Sequence, residues 1–178
     1  SSDVCSADLS TYDRPVMLKR ALESVLAQTF RDFEVIVVDD GSETAVEAPK
    51  DISKEFEEQG IWLRVLNMPE NTGYSTTPMN AGIYHSSGSY LAYCDDDNVW
   101  DPVHLESLVD EIEDSESDFV YSRWRYAGEG VATGTEFPYS PPTKASMSGL
   151  LMTPQNNFID TSSILHSKGA LIRKLGAH

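Results

Sequence analysis

Cysteine is scarce in this sequence: Cys5 and Cys94 are the only two among 178 residues. Two thiols so placed give neither a disulfide framework nor a metal-ligand spacing, and a reduced, cytoplasmic setting is the expectation. No apolar run approaches the roughly 20 residues of a membrane-spanning helix, so no integral membrane segment is expected. Basic residues are few as well, 13 Lys and Arg against 29 Asp and Glu, for a formal net charge of −16. Such a surface repels nucleic acid and anionic membrane, which sets both aside as partners. Much of this acidity is the ordinary charge of a solvated surface. No internal repeat is present. No Gly-rich, basic phosphate loop stands near the start, as a nucleotidyltransferase would want. His85, His104 and His166 lack metal-ligand spacing, and the aspartate run lacks the glycine of a calcium-sensor loop.

What is present suits one domain with a real core. Pro15 opens a helix, with Asp13 as the expected N-cap. Leu18, Ala21, Leu22, Val25 and Leu26 give it an apolar face. "FEVIVV" is a nearly continuous, β-branched run, as expected of a strand buried on both faces of a parallel sheet. Ile52 and Phe56 mark a short helix closing at Gly60. "IWLRVLNM" and "YLAYC" are further strands. Between them lies a turn-rich loop and a helix capped at Thr77 before Pro78. A cap at Asp101 before Pro102 starts another helix, with Leu105, Leu108, Val109 and Ile112 inward. "DFVYSRWRYA" is expected as one strand, residues 128–152 as loop, and "FIDTSSIL" as a last strand before a closing helix. By contrast "SSDVCSADL" shows no periodicity. It is expected to be a scar or a replaced first strand over residues 1–9, outside the fold. The alternation elsewhere predicts an α/β layered fold with a mainly parallel sheet.

Ligands of such sheets bind beyond the carboxyl ends of the strands. Two acidic clusters fall there: Asp39–Asp40 after "VIVV", and Asp95, Asp96 and Asp97 after "YLAYC". Crowded carboxylates repel. A hard divalent cation offsets that repulsion, and Mg²⁺ or Mn²⁺ takes one or two carboxylates plus substrate phosphates. Alternate residues of an extended segment point the same way, so Asp95 and Asp97 can converge on one ion while Asp96 faces elsewhere. Asp39 and Asp40 suit hydrogen bonds from a base N–H or ribose hydroxyls.

Two stretches, "STYDRPVMLKRALESVLAQTFRDFEVIVVDDGS" and "NTGYSTTPMNAGIYHSSGSYLAYCDDDNVWDPVHLESLV", strongly resemble the family 2 glycosyltransferases of the GT-A fold. The resemblance implies a Rossmann-like three-layer sandwich with a mainly parallel central sheet. It implies transfer, with inversion, of a sugar from a nucleotide-diphosphate sugar to an acceptor hydroxyl on a sugar, lipid or protein. Mn²⁺ or Mg²⁺ is the implied cofactor. Ser10 and Tyr12 match the turn against the base, and Asp40, with Asp39 beside it, the acid that binds base or ribose. Asp95, Asp96 and Asp97 match the donor-sugar and metal motif, with Asp97 and Asp95 on the metal. Asp160, in "NNFIDTSS", matches the position near the acceptor and is the candidate catalytic carboxylate. On this pattern residues 10–127 form the donor-binding half and 128–178 a partial acceptor half.

Departures from the family pattern carry expectations of their own. Met79 stands where many members have an arginine before the helix asparagine, here Asn80, so a donor diphosphate contact is expected to be missing. A missing first strand and a truncated acceptor side would leave a non-catalytic nucleotide-binding fragment as the alternative. A haloacid-dehalogenase-type phosphatase with Asp95 as nucleophile is a further one, although no adjacent acidic pair follows Asp118. Trp62, Trp100 and Trp124 are expected in core or rim, Cys94 as a buried small hydrophobe, and His166 near Asp160.

Overall fold

The apolar run from Phe33 to Val38 forms the strand β2 (Phe33–Asp39), buried along its whole length. The computed structural model describes residues 5–125, 136–137 and 160–175. In chain order the other elements are β1 (Cys5–Thr11), α1 (Pro15–Leu26), α2 (Lys50–Glu58), β3 (Trp62–Asn67), α3 (Thr76–His85) and β4 (Tyr90–Asp95). Then come α4 (His104–Asp114), β5 (Phe119–Tyr121), β6 (Trp124–Arg125), β7 (Glu136–Phe137), a 3₁₀ turn (Thr161–Ser163), β8 (Ile164–Ser167) and α5 (Lys168–Leu175). Six strands make one sheet in the order β3-β2-β1-β4-β8-β5. The first four run parallel, and β8 is antiparallel to both its neighbours.

The lead-in expected to lie outside the fold is therefore corrected. Cys5–Thr11 is the central strand, paired to β2 on one side and β4 on the other. The strand escaped notice because Ser6 and Asp8 interrupt its apolar residues. Cys5, Ala7 and Leu9 face the main core, while Ser6 and Asp8 are buried on the opposite face. Ser6 is accommodated by a hydrogen bond from its Oγ to the Glu34 carboxylate.

One face of the sheet is covered by apolar residues of α1, α2 and α4, among them Leu18, Leu22, Val25, Phe56, Leu105 and Ile112. Each such side chain, fully buried, contributes about 1.5–3 kcal/mol. The other face lies under α3, whose Gly82 sits directly against the Asp8 carboxyl. Helices on both faces of a mainly parallel sheet make the expected three layers.

Three expected caps differ. Asp13 adopts a left-handed backbone (φ 50) and accepts from Glu43 N through its side chain, so Arg14 is the N-cap of α1, without a side-chain cap bond. The helix α3 starts at Thr76 and α4 at His104, after Ser75 and Val103, so neither Thr77 nor Asp101 caps. The single strand expected over "DFVYSRWRYA" is two pieces in different sheets, β5 and β6. Of "FIDTSSIL", Thr161–Ser163 is the 3₁₀ turn and only its end enters β8. Apart from Glu136–Phe137, the loop expected over 128–152 lies outside the described residues. Among the described residues no helix is long and apolar enough to cross a membrane.

Candidate active site

Parallel pairing brings the acidic strand ends to one edge. Thr11 pairs with Asp39, and Ser10 pairs with both Val38 and Asp95. β1 thus separates the two acidic strands, which are not neighbours, yet their carboxyl ends open on one cleft. Its volume is about 540 Å³, and Ser10, Tyr12, Arg14, Asp40 and Asp95 to Asp97 are among its lining residues. Ligand pockets typically measure about 300–1,000 Å³. A larger depression of about 700 Å³ between α2 and β3 contains none of the strand-end aspartates.

On one wall the two adjacent aspartates divide. Asp39 turns back to accept from Ser42 N (3.2 Å) and Ser42 Oγ, and it is not among the cleft-lining residues. Asp40 lines the cleft and accepts from Thr72 N (3.2 Å) and Thr72 Oγ1 (2.9 Å). This ties the loop carrying Asn71, Gly73 and Tyr74 to the β2 end. Gly41 makes the close approach possible: it has φ +73, and a Cβ there would lie 2.5 Å from Asn71 N and closer still to the Glu70 carbonyl carbon. Gly41→Ala is therefore expected to push this loop away and to cost about 1–3 kcal/mol from the backbone conformation alone. Urea unfolding at neutral pH checks this, and unchanged stability would refute the packing argument.

The opposite wall is more strongly charged. Asp96 is buried and accepts from Thr11 Oγ1 (2.8 Å) and Arg14 Nη1 (3.1 Å), which hold it toward β1. Asp97 is half exposed, 3.6 Å from Arg14 Nη1, and its carbonyl accepts from Arg20 Nη2 (3.1 Å). Burial, then the nearby charges of Asp160, Asp97 and Asp96, push the Asp95 carboxyl up to about 6. Asp160 accepts through Oδ1 from Ser162 N (2.9 Å) and Asn98 Nδ2 (3.4 Å), capping the 3₁₀ turn. Ser162 Oγ accepts in turn from Asp95 N and Asn98 Nδ2, both at 2.9 Å. Trp100, buried, donates to Ser162 O (2.8 Å). These bonds hold the Asp160 turn against the end of β4. Ser10 and Tyr12 line the β1 end between the walls, Tyr12 on the open side.

His166 does not join Asp160. Its Nε2 is 2.6 Å from Tyr93 Oη, the rings are stacked, and burial pulls its pKa down. Cys94 is buried as expected, whereas Trp62 is exposed on the edge strand β3.

Among the described residues no three His, Cys, Asp or Glu side chains already form a metal cage. The donor set nonetheless fits an Mg²⁺- or Mn²⁺-type cation. The ligands are hard oxygens, such ions are ordinarily completed by substrate phosphates and water, and the part of the Asp95 pKa rise that comes from Asp160, Asp97 and Asp96, after burial, is repulsion that a cation relieves. Sequence reasoning missed Arg14, Thr72, Asn98 and Ser162. Their partners lie far along the chain, as with Arg14 and Asp96, 82 residues apart.

The sequence profile of Glycosyl transferase family 2 matches residues 8–172, beginning inside β1. The uncharacterized glycosyltransferase YwdF of Bacillus subtilis (strain 168) is 34% identical over 130 residues, 73% of this chain and 45% of that protein. The chain superposes on S. aureus TarS 1-349 in complex with UDP-GlcNAc with a TM-score of 0.71 at 21% identity, over 96% of this chain and 47% of TarS 1-349. It superposes on the mannosyltransferase PcManGT from Pyrobaculum calidifontis, in complex with GDP-Man and Mn²⁺, with a TM-score of 0.60 at 15% identity, over 97% of this chain and 46% of PcManGT. The fold is thus that of the GT-A glycosyltransferases, and the chain spans under half the length of each of these proteins.

Proposed function

The chain belongs to glycosyl transferase family 2, and on that premise we propose that its cleft binds a nucleotide-diphosphate sugar and passes the sugar, with inversion, to an acceptor hydroxyl. The observation that carries this is the placement of Asp40 and of Asp95 to Asp97 on two walls of one cleft at the strand ends. Family membership sets aside the phosphatase alternative. UDP-GlcNAc and GDP-Man in the two structural neighbours support the donor class.

In this reading the nucleoside lies across the ends of β1 and β2. Tyr12 and Ser10 flank the base, and Asp40 accepts from a base N–H or ribose hydroxyl with lone pairs that Thr72 leaves over. Asp95 and Asp97 would hold Mn²⁺ or Mg²⁺, which supplies positive charge where the departing diphosphate becomes more negative. Asp96, held by Thr11, keeps the strand end in place beside the donor sugar. The acceptor oxygen attacks the anomeric carbon from the face opposite the diphosphate. Its bond forms as the carbon–oxygen bond to the diphosphate breaks, and its proton passes to the Asp160 carboxylate.

The test is selective loss. Asp40→Ala is expected to weaken binding of UDP or GDP, in the presence of Mn²⁺, by about 1–3 kcal/mol, the worth of a hydrogen bond to a charged group. Pyrophosphate is expected to bind as it does to the unaltered protein. Calorimetry decides: equal weakening of both ligands would move Asp40 into the phosphate site and defeat this assignment.

A further inference from the structure

Arg14 is the only cationic side chain among the described cleft-lining residues, and it faces four aspartates, Asp40 and Asp95 to Asp97. Its Nη1 lies 3.1 Å from Asp96 Oδ1 and 3.6 Å from Asp97 Oδ2. The two partners differ in a telling way. The Asp96 side chain is buried but also holds the Thr11 hydroxyl at 2.8 Å, so it keeps a hydrogen bond if the arginine leaves. The Asp97 side chain is 54% exposed, so water replaces the arginine there. Opening the pair takes the charge partner from the buried Asp96 Oδ1, a cost that is offset only when another cation arrives beside it. The base of the side chain is fixed even so. The preceding turn is pinned by Asp13, whose N donates to Ser42 Oγ (2.8 Å) and whose Oδ1 accepts from Glu43 N (3.1 Å). The guanidinium itself, 53% exposed, is a long lever on an anchored turn.

We propose that Arg14 is a transferable latch: it holds Asp96 and Asp97 in the nucleotide-free protein and moves to the donor's diphosphate when a divalent cation binds beside them. The inference rests on the nucleotide-diphosphate reading of the cleft. A planar guanidinium matches two phosphate oxygens at once, which an ammonium does not. A cation on Asp95 and Asp97 repels Arg14 as the diphosphate attracts it, so both charges favour the same exchange.

The test measures the two halves of the exchange in Arg14→Ala, with Arg14→Gln as a second variant that keeps the chain length. Mn²⁺ alone, followed by electron paramagnetic resonance, is expected to bind both variants more tightly than the unaltered protein, by up to about fivefold, the worth of an exposed ion pair. UDP or GDP in saturating Mn²⁺, followed by calorimetry, is expected to bind them about 10- to 100-fold more weakly, the range for loss of a charge-assisted hydrogen bond. A residue that merely braces the turn would not tighten Mn²⁺ binding. Unchanged or weaker Mn²⁺ binding, or unchanged nucleotide binding, in both variants overturns the latch. If the unaltered protein binds neither UDP nor GDP, the latch and the nucleotide reading fall together. Nucleotide binding that ignores Arg14 defeats the latch alone.

Discussion

Asp8→Asn is expected to remove most of the fall in folding stability expected of the unaltered protein between about pH 6 and pH 8. Asp8 is 4% exposed in the middle of the central strand, and neither carboxylate oxygen has a hydrogen-bond partner among the described residues. Burial, reinforced by the Glu34 charge on β2 and partly opposed by Lys168 on α5, pushes its carboxyl up from 3.8 to about 8. Tyr93 of β4, itself bonded to His166, and Gly82 of α3 complete its surroundings. Below the unfolded value the proton is bound in both states and Asp8 contributes no slope. Between the two values the folded state keeps the proton and the unfolded state loses it, so stability falls as pH rises. Above about 8 both states are ionised and the loss is complete.

At 1.36 kcal/mol per unit this amounts to about 6 kcal/mol as an upper bound, a large share of the roughly 5–15 kcal/mol that holds a domain folded. Asp95, raised to about 6, has the same sign and survives the substitution, but burial lowers His104 to about 4, which has the opposite sign, so the two largely offset each other between about pH 4 and pH 6. Urea unfolding from pH 4 to pH 9 measures the slope. A slope between pH 6 and pH 8 that is the same in Asp8→Asn as in the unaltered protein would remove Asp8 from this role.

The same residue explains where the sequence is hard to read. β2 is legible because four consecutive apolar residues, Val35 to Val38, follow its one polar interruption at Glu34. β1 is equally buried but carries Ser6 and Asp8 on one face, and a polar residue in a short strand erases the periodicity that betrays it. Its place is set by pairing with β2 and β4, information that lies up to about 85 residues away. The helices α1 and α4 were legible from their apolar faces, but their caps were not: the acids before each proline serve other partners, Asp13 binding Glu43 N and Asp101 binding Arg125. The strand-end aspartates were visible as motif and as repulsion. What the sequence could not give is how they divide, with Asp39 closing a turn, Asp40 on the cleft, and Asp96 bound to Thr11 and Arg14. Those outcomes depend on side chains brought together by the sheet.

Asp160→Asn is expected to lower the rate of sugar transfer by about 10²–10⁴, the usual worth of general-base help, with donor binding unchanged. The asparagine is chosen because the proposed mechanism adds a second, separable job to the observed cap. Its Oδ1 caps the 3₁₀ turn by accepting from Ser162 N, and that turn supplies the Ser162 hydroxyl that holds Asp95 N and Asn98. Asparagine caps about as well as aspartate, so Asp160→Asn keeps the turn and removes only the ability to take a proton. Asp160→Ala removes both, and is expected to disturb the Asp95 wall and weaken nucleotide binding as well. The charge of Asp160 is the largest of those raising the Asp95 carboxyl. Its removal in Asp160→Asn therefore lowers the Asp95 pKa, favours the ionised form, and if anything strengthens the hold on a cation. Tight donor binding with slow transfer thus marks a base, and weak donor binding marks a cap. Release of nucleoside diphosphate in the presence of acceptor, alongside calorimetry of the donor complex, separates the two. Transfer by Asp160→Asn at the rate of the unaltered protein would leave Asp160 a structural cap and place the base elsewhere.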